Sequence, residues 1–220
     1  MKKLFIVANW KSNKATFEAK NWLDEFKIND LEIENKEIVI CPSFNLLSLV
    51  SSEIRNQKLE VKIGAQDISP FDEGAYTGEI NGKQIEEFAD YVIIGHSERR
   101  QYCKEDNETL NRKVVMAIKY NLLPIFCVQN QNTPVPPNVK IVAYEPVSAI
   151  GTGNPDTPDN AEQVARTIRA INKEIISVLY GGSVTSENIN SFTKMPNIDG
   201  VLVGTSSLDS MEFLKIINNA

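Results

Sequence analysis

Three ionisable side chains of this sequence lie just beyond short apolar runs that are typical of buried strands. Glu145 directly follows one such run, His96 follows another, and Lys11 follows a third. In parallel α/β proteins, groups at the carboxyl ends of the strands meet at one site. A carboxylate, an imidazole and an ammonium brought together could transfer a proton and stabilise the anion that forms. The spacing therefore predicts an acid–base site for an anionic substrate.

A possible lid follows the first of these side chains. Pro146 comes after Glu145, and the mostly uncharged segment that continues the chain ends in Gly151–Gly153. Glycines permit hinge motion, so the segment could close over a general base. The alternative is an edge glutamate followed by an ordinary turn. His96 and Lys11 also have non-functional interpretations. A single histidine is often a surface or core residue without a chemical role, and a lysine beyond a strand is usually solvated.

Two glycine- and serine-containing segments follow the last two predicted strands, Gly181–Ser183 and Gly204–Ser206. Both are uncharged, so their backbone N–H groups are the main donors that they offer. Such groups bind phosphate well, and the loops after strands seven and eight are the usual phosphate site of eight-stranded α/β barrels. We therefore expect a phosphate cradle here, with ordinary turns as the alternative.

Composition and charge narrow the class of protein. The 220 residues are 42% apolar and 24% charged, which fits a single globular domain over residues 1–220. The formal net charge of -6 argues against nucleic acid or an anionic membrane as the main partner. No apolar run suits a leader or a membrane span. Cys41, Cys103 and Cys127 are odd in number and show no close pairing, which favours a reducing cytoplasm.

Eight short apolar runs alternate with stretches of helical periodicity. This alternation predicts a parallel sheet, and eight units indicate a closed (β/α)₈ barrel of the α/β class. An open, doubly wound sheet is the alternative, but the glycine-rich dinucleotide fingerprint is absent after the first strand. The predicted strands are Leu4–Ala8, Glu37–Cys41, Leu59–Ala65, Tyr91–Ile94, Leu122–Val128, Val139–Tyr144, Ser177–Tyr180 and Asp199–Val203.

Capping residues predict where several helices begin. Asp106 or Asn107 can cap one helix, and Thr157, followed by a proline, can cap another. Thr185 and Asp209 have suitable side chains ahead of the last two helical stretches. The connection Gln129–Asn138 is different, because three prolines in ten residues leave no room for an uninterrupted helix. We therefore predict that the helix after strand five is shortened or absent.

Several motifs follow one another along nearly the whole chain. They are Ala8–Lys11, Gly74–Glu79, Gly95–Arg100, Tyr144–Val147 with Ala149–Gly153, Tyr180–Val184 and Asp199–Gly204. In this order they resemble triosephosphate isomerases nearly from end to end. That resemblance implies the interconversion of dihydroxyacetone phosphate and D-glyceraldehyde 3-phosphate in glycolysis and gluconeogenesis, without cofactor or metal.

The resemblance also implies a role for each site residue. Glu145 is the base that moves a proton between C1 and C2. His96 is a neutral electrophile, as is known for this family. Lys11 supplies positive charge and Asn9 orients the substrate. The phosphate-binding residues that it implies are Gly151, Ser183, Gly204 and Thr205. Ser97 and Glu98 would support the site from outside, with Glu98 as a partner of Lys11. Thr77 would enter the partner's site in a homodimer.

The sequence departs from the family pattern in the lid, the eighth loop and the fifth connection. Ser148 stands where a tryptophan is usual, and Thr205 replaces a glycine. Two other functions stay open at this point. One is an isomerase of a larger phosphosugar, and the other is an inactive barrel that binds phosphometabolites.

Overall fold

Eight parallel strands form a closed barrel. The computed structural model describes residues 3–26, 28, 33–146 and 155–220. Each strand pairs with the next one along the chain, and β1 pairs with β8 to close the ring. The predicted (β/α)₈ barrel is confirmed. The strands are β1 (Leu4–Asn9), β2 (Lys36–Cys41), β3 (Lys62–Ala65), β4 (Tyr91–Ile94), β5 (Leu123–Val128), β6 (Ile141–Tyr144), β7 (Ser177–Tyr180) and β8 (Gly200–Val203).

Helices connect all but one of the successive strand pairs within the barrel. A 3₁₀ turn over Thr205–Leu208 follows β8 and leads into the last helix. The helices are α1 (Thr16–Glu25), α2 (Phe44–Asn56), α3 (Gly82–Glu86), α4 (Ser97–Tyr102), α5 (Asn107–Lys119), α6 (Pro158–Ile171), α7 (Ile189–Thr193) and α8 (Ser210–Asn219). Among the described residues, no helix is both long and apolar enough to cross a membrane.

Alternate residues of each strand enter two different cores. Ile6 and Ala8 of β1 pack in a cluster that includes the buried faces of the helices. Phe5 and Val7 pack in a second cluster, which consists of strand residues alone and fills the barrel interior. Side chains alternate along a strand, so the inward face of β1 continues to Asn9. The same alternation along β6 makes the position after the strand, 145, an inward one.

Three of the four predicted caps are confirmed. Asp106 accepts a hydrogen bond from the Thr109 N–H at 2.8 Å, and Thr157 and Asp209 cap α6 and α8 in the same way. Thr185 was the wrong cap, because α7 begins four residues later at Ile189. The Thr185 N–H instead donates to the Asn188 side chain at 2.9 Å, which forms a turn before the helix.

No helix lies between β5 and β6, as predicted. Residues 129–140 form turns and extended backbone, with Pro136 buried and Val135 packed against the outer core. A cavity of about 440 Å³ lies between this connection and α6. Ile171 at the end of α6 is 67% exposed, since no wall helix covers it. The prolines explain this directly, because each removes a backbone donor that a helix needs.

We expect this thinly covered wall to open locally more often than the rest of the barrel. Backbone amides in residues 129–138 should exchange with solvent at least ~10³-fold faster than those of α5, which precedes β5 and serves as an internal control. Hydrogen exchange followed by mass spectrometry measures both segments in one sample. Helix-like protection across residues 129–138 would contradict this interpretation.

Candidate active site

The end of β1 presents Asn9 and Lys11 to the mouth of the barrel. Asn9 is 5% exposed, and its Oδ1 accepts a hydrogen bond from the Lys11 N–H at 3.0 Å. Lys11 has a φ of 53°, in the left-handed region that non-glycine residues rarely adopt. The Gln66 amide holds this conformation by donating to the Lys11 carbonyl at 2.9 Å. Left-handed backbone of this kind tends to occur at functional sites.

The Lys11 ammonium pairs with a carboxylate from a different strand. Its Nζ lies 2.5 Å from Oε1 of Glu98, which belongs to the first turn of α4 after β4. The two side chains are 25% and 40% exposed, so the ammonium borders the opening of the barrel. The pair fixes the direction of a long, flexible side chain and leaves its charge beside the cavity.

His96 links β4 to α4 and is held in one tautomer. Gly95 turns the chain with a φ of 74°, and His96 then serves as the N-cap of α4. The Glu98 N–H donates to Nδ1 of His96 at 3.2 Å, so Nδ1 is the acceptor and Nε2 carries the ring hydrogen. The histidine is 6% exposed, and its Nε2 faces inward.

Glu145 lies beneath this histidine, at the inward position after β6. Its Oε1 is 2.9 Å from Nε2 of His96, and its Oε2 accepts a hydrogen bond from the Ser97 N–H at 2.9 Å. Only 1% of the residue is exposed. Both carboxylate oxygens therefore have a partner at the start of α4. A carboxylate held in this way would have to give up at least one of these two contacts before it could accept a proton.

A neutral thiol and an arginine complete the surroundings of this carboxylate. Burial raises the pKa of the Cys127 thiol, and the nearby Glu145 carboxylate raises it further. The thiol therefore stays protonated and adds no negative charge. Arg100 lies close by and donates to the backbone carbonyls of Gly95 at 2.8 Å and Cys127 at 3.1 Å. These bonds join the ends of β4 and β5 below the site.

A buried ion network holds α4 in place. Lys113 Nζ lies 2.6 Å from both Asp67 Oδ1 and Glu105 Oε1, and Arg99 Nη2 lies 2.8 Å from Asp67 Oδ2. Burial raises the pKa of Asp67, while the Lys113 and Arg99 charges act in the opposite direction. Removing one member of a buried network leaves an unpaired charge, which is costly. The network therefore keeps α4, with its Ser97 N–H and Glu98 side chain, in a fixed position.

Asn9, Lys11, His96 and Glu145 line one cavity of about 320 Å³ at the carboxyl ends of the strands. This volume suits a small ligand. Glycine is required at position 182, because a Cβ there would lie 2.1 Å from the Tyr180 hydroxyl oxygen. The lining consists of Asn9, Lys11, His96, Glu145, Asn188, Leu202 and two loops, residues 181–185 and 204–206.

The structure therefore brings together most of the residues that the sequence singled out. Ser183, Gly204 and Thr205 line the cavity with the ionisable groups, and Ser97 and Glu98 contact them. Gly151 and Ser148 lie outside the described residues. Thr77 is exposed on the long loop after β3 and does not line this cavity.

Gln66 and Asn188 were missed. Gln66 directly follows β3, so the strand-end rule that singled out Glu145 could have identified it. Asn188 lines the cavity and donates to the Ser183 carbonyl at 3.0 Å, which holds the loop after β7. No sequence signal marks it, because it lies within an irregular turn eight residues beyond the strand.

Comparison with known proteins places this chain among barrels of the same kind. The triosephosphate isomerase family model matches residues 4–135 and 134–220. The two segments meet inside the short connection between β5 and β6. An alignment over 246 residues with the triosephosphate isomerase of Mesomycoplasma hyopneumoniae strain 7448 covers all of both chains at 41% identity.

Two further relatives are slightly less similar in sequence. The triosephosphate isomerase of Dictyoglomus turgidum is 38% identical over 251 residues, and all of both chains is covered. That of Gloeothece citriformis is 38% identical over 242 residues, with 99% of each chain covered. The family model and these full-length relatives show that this chain belongs to the triosephosphate isomerase family.

Proposed function

We propose that this protein interconverts dihydroxyacetone phosphate and D-glyceraldehyde 3-phosphate through an enediolate. The observation that carries the proposal is the convergence of Glu145, His96 and Lys11 on one small cavity beside two loops rich in backbone donors. Family membership and the full-length relatives support the same reaction. The reaction itself needs only proton transfers between carbon and oxygen atoms.

Glu145 is the proposed base for transfer between C1 and C2. Its contacts with His96 and the Ser97 N–H hold the side chain aimed inward before the substrate binds. The segment that follows it lies outside the described residues, so the proposed lid rests on the sequence alone. Closing a lid would move the carboxylate toward the substrate and exclude water, which strengthens its interaction with the reacting carbon.

His96, Lys11 and Asn9 are proposed to stabilise the oxygens of the enediolate. Because Nδ1 accepts the Glu98 N–H, the Nε2–H of His96 is the donor available to a substrate oxygen. The Lys11 ammonium adds positive charge where negative charge develops, and the Asn9 side chain hydrogen-bonds nearby. Donors fixed in advance, in a site with little water, lower the barrier most effectively.

The loops after β7 and β8 are the proposed phosphate cradle. Ser183, Gly204 and Thr205 line the cavity, and their backbone N–H groups are the proposed phosphate donors. Gly151 would add a donor from the lid. The family and its full-length relatives favour a triose phosphate over a larger phosphosugar. Lys11, His96 and Glu145 are all present in the cavity, so nothing in the site favours an inactive barrel.

A coupled assay tests this function directly. Purified protein should convert D-glyceraldehyde 3-phosphate to dihydroxyacetone phosphate, which a dehydrogenase then reduces with loss of nicotinamide absorbance. Pentose and hexose phosphates, tested in parallel, should give turnover at least ~10²-fold lower if the site is specific for a triose. No turnover with any of them, together with tight phosphate binding, would instead indicate the inactive barrel.

We further propose that two copies associate and that Thr77 enters the partner's site. A second cavity of about 260 Å³ borders the active site and is lined by Lys11, Gln66 and Glu98, among others. The loop that carries Thr77 is firmly built, with Phe71 and Tyr76 stacked at 4.3 Å between ring centroids. A rigid, protruding loop and a cavity beside the catalytic groups suit a twofold interface.

The wild-type protein should therefore sediment at about twice the 24.6 kDa of one chain. Thr77→Arg should shift it toward monomer and reduce activity, because a long cation would meet Lys11 in the partner's second cavity. Thr16→Arg, at the exposed start of α1, is the matched control and should change neither property. A fully active monomer at micromolar concentration would overturn the dimer proposal.

The proposed setting is a single catalytic domain in the cytoplasm that acts in glycolysis and gluconeogenesis. All three cysteines are free thiols, with Cys41 and Cys127 buried and Cys103 exposed. An exposed free thiol is compatible with a reducing compartment.

A further inference from the structure

Lys14 lies outside the cavity but contacts the turn that the phosphate site depends on. Its Nζ donates to the Leu208 carbonyl at 2.7 Å, and Leu208 is the last residue of the 3₁₀ turn that begins at Thr205. The ammonium also lies over the indole ring of Trp10, 5.2 Å from its centroid. One side chain therefore ties the loop after β1 to the loop after β8.

A second donor holds the same turn. Trp22 of α1 donates its indole N–H to the Ser207 carbonyl at 3.1 Å. Within the turn, the Ser207 N–H and hydroxyl both donate to the Gly204 carbonyl, at 2.9 and 2.7 Å. The Ser207 and Leu208 carbonyls thus point toward Trp22 and Lys14, whereas Gly204 and Thr205, at the other end of the turn, line the cavity.

The backbone of Lys14 is itself in an unfavourable conformation. Its φ of 68° lies in the left-handed region, which residues other than glycine rarely adopt. The Asn13 side chain supports this turn by donating to the Trp10 carbonyl at 2.7 Å. A glycine would adopt the same conformation without strain. The strained lysine is therefore notable because its side chain reaches the turn after β8.

The charge of Lys14 is compensated locally. The carboxylates of Glu18, Asp209 and Glu25 all act on it, and they raise its pKa, whereas the larger effect of burial lowers it. An ammonium surrounded by carboxylates attracts a distant phosphate weakly. Its contribution to ligand binding must therefore come through the geometry of the turn.

We propose that Lys14, together with Trp22, is a positioning residue that orients the N–H groups of Gly204 and Thr205 toward the substrate phosphate. This inference rests on the phosphate cradle proposed above. Lys14 touches neither the substrate nor the reacting atoms. It acts by fixing the carbonyl end of the turn, so that the donor end is held in the orientation that phosphate needs.

The test compares three lysine variants with phosphorylated and unphosphorylated ligands. Lys14→Met keeps the aliphatic stem but removes the donor, Lys14→Arg restores a donor, and Lys20→Met on the exposed side of α1 is the matched control. The readouts are the inhibition constant of inorganic phosphate, KM and kcat for D-glyceraldehyde 3-phosphate, and kcat/KM for unphosphorylated D-glyceraldehyde.

Lys14→Met should raise the phosphate inhibition constant and KM about five- to tenfold, the effect of losing one good hydrogen bond. Its kcat/KM for D-glyceraldehyde should stay within about twofold, since that substrate makes no use of the cradle. Lys14→Arg should recover most of the loss, and Lys20→Met should match the wild type. A merely structural role would lower activity on both substrates together.

A second variant covers the case in which Lys14→Met folds poorly. Trp22→Phe keeps a ring in the core but removes the donor to Ser207, and it should raise the phosphate inhibition constant in the same direction. Unchanged phosphate inhibition in both variants would overturn the role of Lys14 and Trp22. If Gly204→Ala still weakens phosphate binding in that case, the cradle stands without them; if the wild type shows no phosphate inhibition, both proposals fail.

Discussion

Replacing Glu145 with glutamine should reduce turnover by at least ~10³-fold, because general-base catalysis supplies rate factors of this order. The change keeps the size of the side chain and removes only its ability to accept a proton. The new amide can still accept the Ser97 N–H with its oxygen, but its NH₂ group would then face the Nε2–H of His96. The fold should survive, since the barrel core does not include this side chain.

Glu145→Asp is the matched variant for this experiment. It keeps the carboxylate but withdraws it by one methylene, and a misplacement of about 1 Å can cost about 10²-fold. Activity should therefore fall in the order wild type, aspartate, glutamine, while the affinity for inorganic phosphate stays within about tenfold throughout. Comparable turnover in Glu145→Gln and the wild type would rule out this residue as the base.

Replacing Lys11 with methionine should lower kcat/KM by at least ~10²-fold, the usual effect of losing one group that stabilises developing charge. Lys11 is the only cationic side chain that lines the cavity within the described residues. Its removal also leaves the Glu98 carboxylate unpaired at the mouth of the cavity. That negative charge would repel an anionic substrate, so both binding and the transition state should be weakened.

Glu98→Gln separates these two contributions. It leaves the Lys11 ammonium in place and removes only its partner, so kcat/KM should change by less than about tenfold. The double variant should be more active than Lys11→Met alone, because it lacks the unpaired carboxylate. Steady-state kinetics on the four proteins provides the comparison. Full activity in Lys11→Met would contradict the electrostatic role.

The fold was predictable because its strands are buried on both faces. Tyr91–Ile94 and Ser177–Tyr180 were predicted at their observed bounds, since every position of those strands is buried and only Ser177 among them is polar. The third strand begins at Lys62 rather than Leu59, because the apolar residues before it pack beside the outer core without pairing. Thr185 failed as a cap because its N–H entered a turn with Asn188, a tertiary detail that residue type does not reveal.

The site was predictable only in part. Alternation along β1 and β6 explains why Asn9 and Glu145 point inward, so strand ends could be identified from the sequence. The partners of those residues could not be derived in this way. Two contacts depend on the angle at which α4 leaves β4. One is the pair between Glu98 and Lys11, and the other is the hydrogen bond from the Ser97 N–H to Glu145. The family resemblance supplied the first of these pairs, and physical reasoning from the residues supplied neither.

The most direct measurement follows the isomerisation of dihydroxyacetone phosphate in D₂O by proton NMR. If Glu145 carries the transferred proton, that proton exchanges with deuterium from the solvent while it is bound to the carboxyl group. The D-glyceraldehyde 3-phosphate that forms should then carry deuterium at C2. The Glu145→Gln variant should give neither product nor exchange above the slow background. Conversion of the substrate at the wild-type rate by Glu145→Gln, or no conversion by the wild type, would contradict the proposed reaction and its base.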